Sequence, residues 1–203
     1  MVPPLCVRCG QSLEAWGENA LGAGLCPFCR VTPPAYEAAR AWGRMEGSIR
    51  SAIHRLKYRR DVSLADVLAA QMLAVVEREG WQVDGVVPVP LGPARLRERG
   101  FNQAALLAFP LALGLRLPYW GQVLVRWRET RTQVGLSAAE RRRNVAGAFR
   151  VVREEPIMRK TVLLVDDVMT TGATLDAAAR ALKKGGAARV YALVAARAVL
   201  RAP

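Results

Sequence analysis

Apolar and polar positions change rhythm several times along this chain, and each change marks an element. From Ser48 to Tyr58 apolar residues recur at helical spacing, with Ile49, Ile53 and Leu56 on one face, before the basic cluster Lys57-Tyr58-Arg59-Arg60. A second helix carries Leu64, Val67, Leu68, Leu73 and Val75, with Asp61 or Ser63 as its cap, and stops at Gly80. Residues 36–45 fit a strand or a helix equally well. Val83 to Pro90 is a short β-branched run, and a Pro/Gly-bounded loop follows from Leu91 to Gly100. Asn102 to Leu113 reads as a helix, Gln122 to Trp127 as a strand, Arg128 to Asn144 as a polar arginine-rich loop, and Ala148 to Val152 as a strand. Val162 to Val165 is continuously apolar, as in a strand buried on both faces. A helix from Ala173 to Lys184, closed by Gly185-Gly186, and a strand from Arg189 to Val194 complete the pattern. Strands alternating with helices predict an α/β fold, a mostly parallel sheet flanked by helices.

The first 30 residues follow another logic. All four cysteines lie there, as Cys6-Val7-Arg8-Cys9 and Cys26-Pro27-Phe28-Cys29. Two C-x-x-C knuckles at this separation offer four thiolates to one tetrahedral Zn²⁺, and Gly10 suits the tight turn of the first. So short a segment buries little core, so the metal supplies much of its folding free energy. A four-thiolate site is closed, which makes the zinc structural and its module a scaffold. Thr32-Pro33-Pro34 reads as the exit from a module spanning 1–32, and residues 33–80 as a connecting region with the basic cluster.

The segment richest in chemistry is Val162-Leu163-Leu164-Val165-Asp166-Asp167-Val168-Met169-Thr170-Thr171-Gly172-Ala173-Thr174. A buried strand delivers two carboxylates at its C-terminal edge, where open α/β sheets bind ligands. A threonine-glycine loop then opens a helix, whose free N–H groups and dipole favour an anion. The acids suit sugar hydroxyls or hydrated Mg²⁺, and the loop suits phosphate; a sugar phosphate meets both demands. Neither a P-loop nor a dinucleotide-binding glycine pattern is present.

Composition adds a polyanion to the picture. An apolar fraction of 52% and a charged fraction of 23% exclude a wholly disordered chain. Thirty Lys+Arg against 17 Asp+Glu give +13. Between Arg95 and Lys160 stand 14 basic and five acidic residues, a local net of +9. Arg128, Arg131, Arg141, Arg142 and Arg143 are the candidates for nucleic-acid phosphates. Phe101, Tyr119, Trp120, Trp127 and Phe149 lie nearby and read as core before they read as stacking platforms. The single histidine, His54, reads as a surface or capping residue rather than a general base. No membrane span or secretory signal is visible, so a cytoplasmic protein without membrane insertion is expected.

The segment around Asp166 resembles the phosphoribosyl pyrophosphate (PRPP) motif of type I phosphoribosyltransferases. The resemblance implies that Asp166 and Asp167 take the ribose with its Mg²⁺, and that Thr170, Thr171, Gly172, Ala173 and Thr174 hold the 5′-phosphate. It assigns residues 81–203 to a phosphoribosyltransferase-like domain. Arg95, Arg97 and Arg99, together with Lys57, would serve the pyrophosphate, and residues 128–144 lie where that family places a loop that closes over the site. The cysteine knuckles, Leu56-Lys57-Tyr58, Pro88-Val89-Pro90, Arg97 to Gln103, Thr132-Gln133-x-x-Leu136 and Arg143-Asn144-Val145-x-Gly147-Ala148-Phe149 occur in order. Together they resemble the ComF-type competence proteins and their GntX-like relatives. That resemblance implies handling of incoming single-stranded DNA during natural transformation, with a DNA-translocating competence ATPase as partner. The sequence names no catalytic residue. A phosphoribosyltransferase with an unknown acceptor and a PRPP-sensing regulator are the alternatives.

Overall fold

The computed structural model describes residues 4–16, 24–59, 61–130 and 137–198. Arg60, Arg131 and the block Thr132-Gln133-x-x-Leu136 lie outside them. Among the described residues six strands and seven α-helices follow in chain order: α1 (Pro27–Val31), β1 (Ala39–Arg44), α2 (Gly47–Tyr58), α3 (Leu64–Glu79), β2 (Gly85–Pro88), α4 (Pro93–Arg99), α5 (Gln103–Leu115), β3 (Leu124–Arg126), α6 (Ala138–Val145), β4 (Phe149–Val151), β5 (Thr161–Met169), α7 (Ala173–Lys184) and β6 (Arg189–Arg197). The main sheet has the order β1-β6-β5-β2, all parallel, and β3 and β4 form a separate antiparallel pair. The mostly parallel sheet flanked by helices is therefore as expected.

Strand periodicity divides the core in two. On β5, Val162 and Leu164 join a cluster with Leu175, Ala178 and Leu182 of α7 and the four cysteines. Leu163 and Val165 face the other way, into a cluster with Leu68 and Met72 of α3 and Leu107 and Leu111 of α5. All four strand residues are fully buried.

One segment left open by the sequence is settled, and two differ from its reading. Residues 39–44 form an edge strand, paired on one side with β6. Residues 93–99, expected within a loop, form α4, with Pro93 at its first turn and Gly100 left-handed after it. Within the expected loop 128–144 stands α6, started by a capping box in which Ser137 Oγ accepts from Glu140 N and Glu140 Oε2 accepts from Ser137 N. Among the described residues no helix is long and apolar enough to cross a membrane.

Truncating Leu163 to Ala removes a fully buried side chain between β5 and the α3–α5 layer. It is expected to lower unfolding free energy by about 2–5 kcal/mol in chemical denaturation.

Candidate functional site

The site exists because β5 outruns its neighbour. Strand β2 pairs with β5 up to Pro88↔Val165, and Val89 N makes one further bond to Val165 O at 2.8 Å. Beyond that point Asp166, Val168 and Met169 pair only with β6, so the other edge of β5 opens on a cleft of about 490 Å³. Asp166 and Asp167 sit where the sheet gives way.

The two carboxylates differ in their surroundings. Asp167 is buried, and its Oδ2 lies 2.9 Å from Lys57 Nζ. Asp166 is only partly covered, and its Oδ1 accepts from the backbone N of Asp167 at 2.9 Å. Desolvation among the cleft walls, followed by the neighbouring charge of Asp167, pushes the Asp166 carboxyl up to about 7. Lys57, grouped with the pyrophosphate residues from sequence, thus meets the acid pair directly.

The loop after the acids is shaped by Gly172, at φ +80°. A Cβ there would lie 2.6 Å from Met169 Cε and 3.0 Å from Tyr36 Oη, so both conformation and space require glycine. Thr171 Oγ1 accepts from Ala173 N at 3.4 Å, and Thr170 Oγ1 accepts from Arg141 Nη1 at 3.2 Å. Residues Thr170 to Thr174 all line the cleft, at the N-terminus of α7.

Helical geometry sorts the arginines. Arg95 and Arg99, one turn apart on α4, line the cleft, whereas Arg97 between them is exposed and does not. Arg99 also lies over the ring of Tyr58, 5.4 Å from its centroid. On α6, Arg141 is half-buried in the cleft while Arg142 and Arg143 are exposed. The three do not form one solvated row. Arg128 Nη2 donates to the carbonyls of Asn144 (3.1 Å) and Ala146 (2.6 Å), closing the C-terminus of α6.

Two cleft residues had no site role in the sequence reading. Arg126, on β3, is 7% exposed, donates to Thr130 Oγ1 and lies over the Phe149 ring. Its Nε has no partner among the described residues, and burial lowers its pKa. Gln103, at the start of α5, is 1% exposed with Nε2 unpartnered among the described residues. The signal for Arg126 was its inward place in the alternation Leu124-Val125-Arg126; for Gln103 it was its place beside the N-cap Asn102, which donates to Val89 O and accepts from Ala104 N. His54 is exposed against Tyr58, outside the cleft.

Behind the phosphate loop stand the cysteines. Their four sulfurs lie within 4.8 Å of one another, and all four residues are buried. Zn–S bonds of ~2.3 Å would put tetrahedral sulfurs ~3.8 Å apart, and Cys9 Sγ and Cys26 Sγ are 3.6 Å apart, so the donor set fits a metal. The module is no free appendage. Gly10, left-handed at φ +68°, packs so closely on β1 that a Cβ would lie 2.6 Å from Ala39 O. Glu37 takes Arg8 of the module at 3.2 Å and Lys183 of α7 at 2.7 Å. Buried Arg197 donates to Cys9 O (2.7 Å), Gln11 Oε1 (3.0 Å), Met169 Sδ (2.8 Å) and, at 3.7 Å, Cys9 Sγ. It has no carboxylate partner among the described residues. A thiolate cluster holding a metal would supply the negative charge such a cation needs.

The raised Asp166 carboxyl gives a pH prediction. Unfolding restores an ordinary carboxyl, so the folded protein holds its proton more tightly, and stability from this group falls as pH rises from about 4 towards 7. Asp166→Asn, neutral at every pH, is expected to raise the melting temperature of the ligand-free protein by a few degrees at pH 8. The gain should shrink towards pH 4, which calorimetric scans across that range will show.

The phosphoribosyl transferase domain family matches residues 107–200. DNA utilization protein YhgH of Salmonella typhimurium is 34% identical over 217 residues, covering 93% of this chain and 95% of that protein. Competence protein F of Haemophilus influenzae is 31% identical over 202 residues, covering 96% and 85%. Among solved structures, the glutamine PRPP amidotransferase from B. subtilis complexed with ADP and GMP gives a TM-score of 0.44 at 22% identity, covering 64% of this chain and 26% of that one. With two relatives above 30% identity over most of their length, this chain belongs to the ComF/YhgH family of competence and DNA utilization proteins, which here joins a cysteine module to a phosphoribosyltransferase-type core.

Proposed function

We propose that the protein binds PRPP in the cleft at the end of β5 and handles incoming single-stranded DNA during natural transformation, in the cytoplasm, beside a DNA-translocating competence ATPase. The observation that carries the PRPP part is the meeting, in one cleft, of an acid pair, a Thr-Thr-Gly loop on a helix N-terminus, and the cations Lys57, Arg95, Arg99, Arg126 and Arg141. The acids take the ribose hydroxyls, residues 170–174 the 5′-phosphate, and the arginines the pyrophosphate. Mg²⁺, when bound with PRPP, offsets pyrophosphate charge. The DNA part rests on the names of the relatives and on the charge of +13. In the cysteine module the four thiolates hold a structural Zn²⁺.

A transferase reading draws on the same cations, which suit a departing pyrophosphate. Turnover breaks the C1′–O bond, releases pyrophosphate and passes the phosphoribosyl group to an acceptor, for whose proton the cleft offers no identified base.

Calorimetric titration with PRPP and Mg²⁺ tests the site. Asp167→Asn is expected to weaken binding about 3- to 10-fold, less than a charge-assisted hydrogen bond made from water, because the carboxylate already pairs with Lys57. Gly172→Val should abolish it by closing the loop against Met169 and Tyr36. Unchanged affinity in both variants overturns the PRPP reading, and pyrophosphate release in an acceptor screen establishes the transferase.

Elemental analysis should find about one zinc per chain. Because Arg197 and Tyr36 join the module to the end of β5 and to Gly172, Cys9→Ser or chelation is expected to lower the melting temperature and weaken PRPP together. A module that served only as an appendage would leave PRPP affinity untouched.

A further inference from the structure

A second, larger groove lies on the far side of α6 from the cleft, between α7 and the β3–β4 pair, with a volume of about 830 Å³. Its floor is low because α7 presents Ala173, Ala177 and Ala181 at one-turn intervals, followed by Gly185. Helices α6 and α7 and strand β4 supply most of its lining, and the turns that follow β3, α6 and β4 supply Trp127, Ala146, Gly147 and Glu154.

Three features give the groove a chemistry. The first is Trp127. Of the two exposed aromatics between Arg95 and Lys160, Phe109 on α5 lines no part of the groove, whereas Trp127, 59% exposed, lines it with its indole while its backbone N is held by Ala148 O at 3.1 Å. The second is charge. Arg142, Arg150 and Lys184 line the groove, and none forms an ion pair among the described residues. Arg180 and Asp176 neutralise each other at 3.1 Å, which leaves Glu154 against three cations. The third is continuity. Arg142, Ala173 and Asp176 also line the smaller cavity beside the cysteine module, where Phe28 is 41% exposed. A cationic strip with an aromatic at each end thus runs behind the phosphate loop.

We infer that this groove seats a single-stranded nucleic acid, with one base stacked on Trp127 and the flanking phosphates on Arg142, Arg150 and Lys184. The inference rests on the DNA-handling reading above and gives it a path. A stacking platform needs a base whose face is free, which a single strand offers and a duplex does not. The cations follow phosphates, and no array of base-edge donors accompanies them, so recognition is tolerant of sequence. An acidic peptide would use the same cations but gains nothing from the exposed indole.

The test is fluorescence polarisation of a labelled 20-mer oligothymidine with the full chain, read across salt concentrations, with PRPP calorimetry alongside. Trp127→Ala is expected to weaken the oligonucleotide about 5- to 100-fold, and Trp127→Phe to restore most of the loss. Arg150→Gln and Lys184→Gln should each flatten the log–log salt slope by about 0.7. PRPP affinity should not move in any of these variants, and because the side chains are exposed the melting temperature should hold. If the wild type binds the oligonucleotide and Trp127→Ala binds it equally well, the groove is overturned while the DNA reading stands. Failure of the wild type to bind overturns both. Competition by a polyglutamate peptide that Trp127→Ala leaves unaffected assigns the groove to an acidic peptide instead.

Discussion

A parallel strand longer than its neighbour is the constraint on which this structure depends. Strand β5 is buried on both faces, so its apolar residues hold it in place whatever polar groups its C-terminal end carries. Because β2 ends first, the last residues of β5 have a free edge, and two carboxylates are carried into a space that only side chains can fill. Helices on both faces seal the strand from water, and the loop to α7 has no choice but to turn there. The strong part of the fold therefore supports the polar part, and the cleft arises from unequal strand lengths rather than from any special loop.

How legible each element is in the sequence depends on how it is buried. Strand β5 reads as a continuous apolar run because both faces are covered, and α7 reads at its true limits because Gly172 and Gly185 bracket an amphipathic stripe. Strand β1 was ambiguous because it is an edge strand of Ala, Arg, Trp and Gly that alternates weakly. Helix α6 was hidden by its own composition: its residues are mostly Ala and Arg, and no apolar stripe announces it, although Ser137-x-x-Glu140 stood in the sequence as a helix start. The arginines at 95, 97 and 99 look equivalent in a loop, and only a helix separates them. The Lys57–Asp167 contact joins residues on α2 and β5 that no local pattern connects.

The cysteine module shows how a small metal-binding segment becomes part of a larger core. Alone it has little to bury, but Leu13 and the four cysteines pack into the same cluster as α7 and β5. Arg197 ends β6 inside this junction, touching both a cysteine and Met169. A side chain from the last strand thereby joins the N-terminal module to the end of β5, and the folding of the module is tied to closure of the sheet.

The ion pair between Lys57 and Asp167 has a consequence for how tightly anything can be held. The carboxylate already has a counter-ion, so an arriving hydroxyl competes with an ammonium group rather than with water. Association is then an exchange of partners, and its free energy is a difference between two similar terms, not the full strength of a new hydrogen bond. Small displacements of α2 alter that difference by strengthening or loosening the occupant already present. The affinity of the cleft is thus set as much by the placement of a helix outside the phosphate loop as by the loop itself, and selection can tune it there without touching the loop.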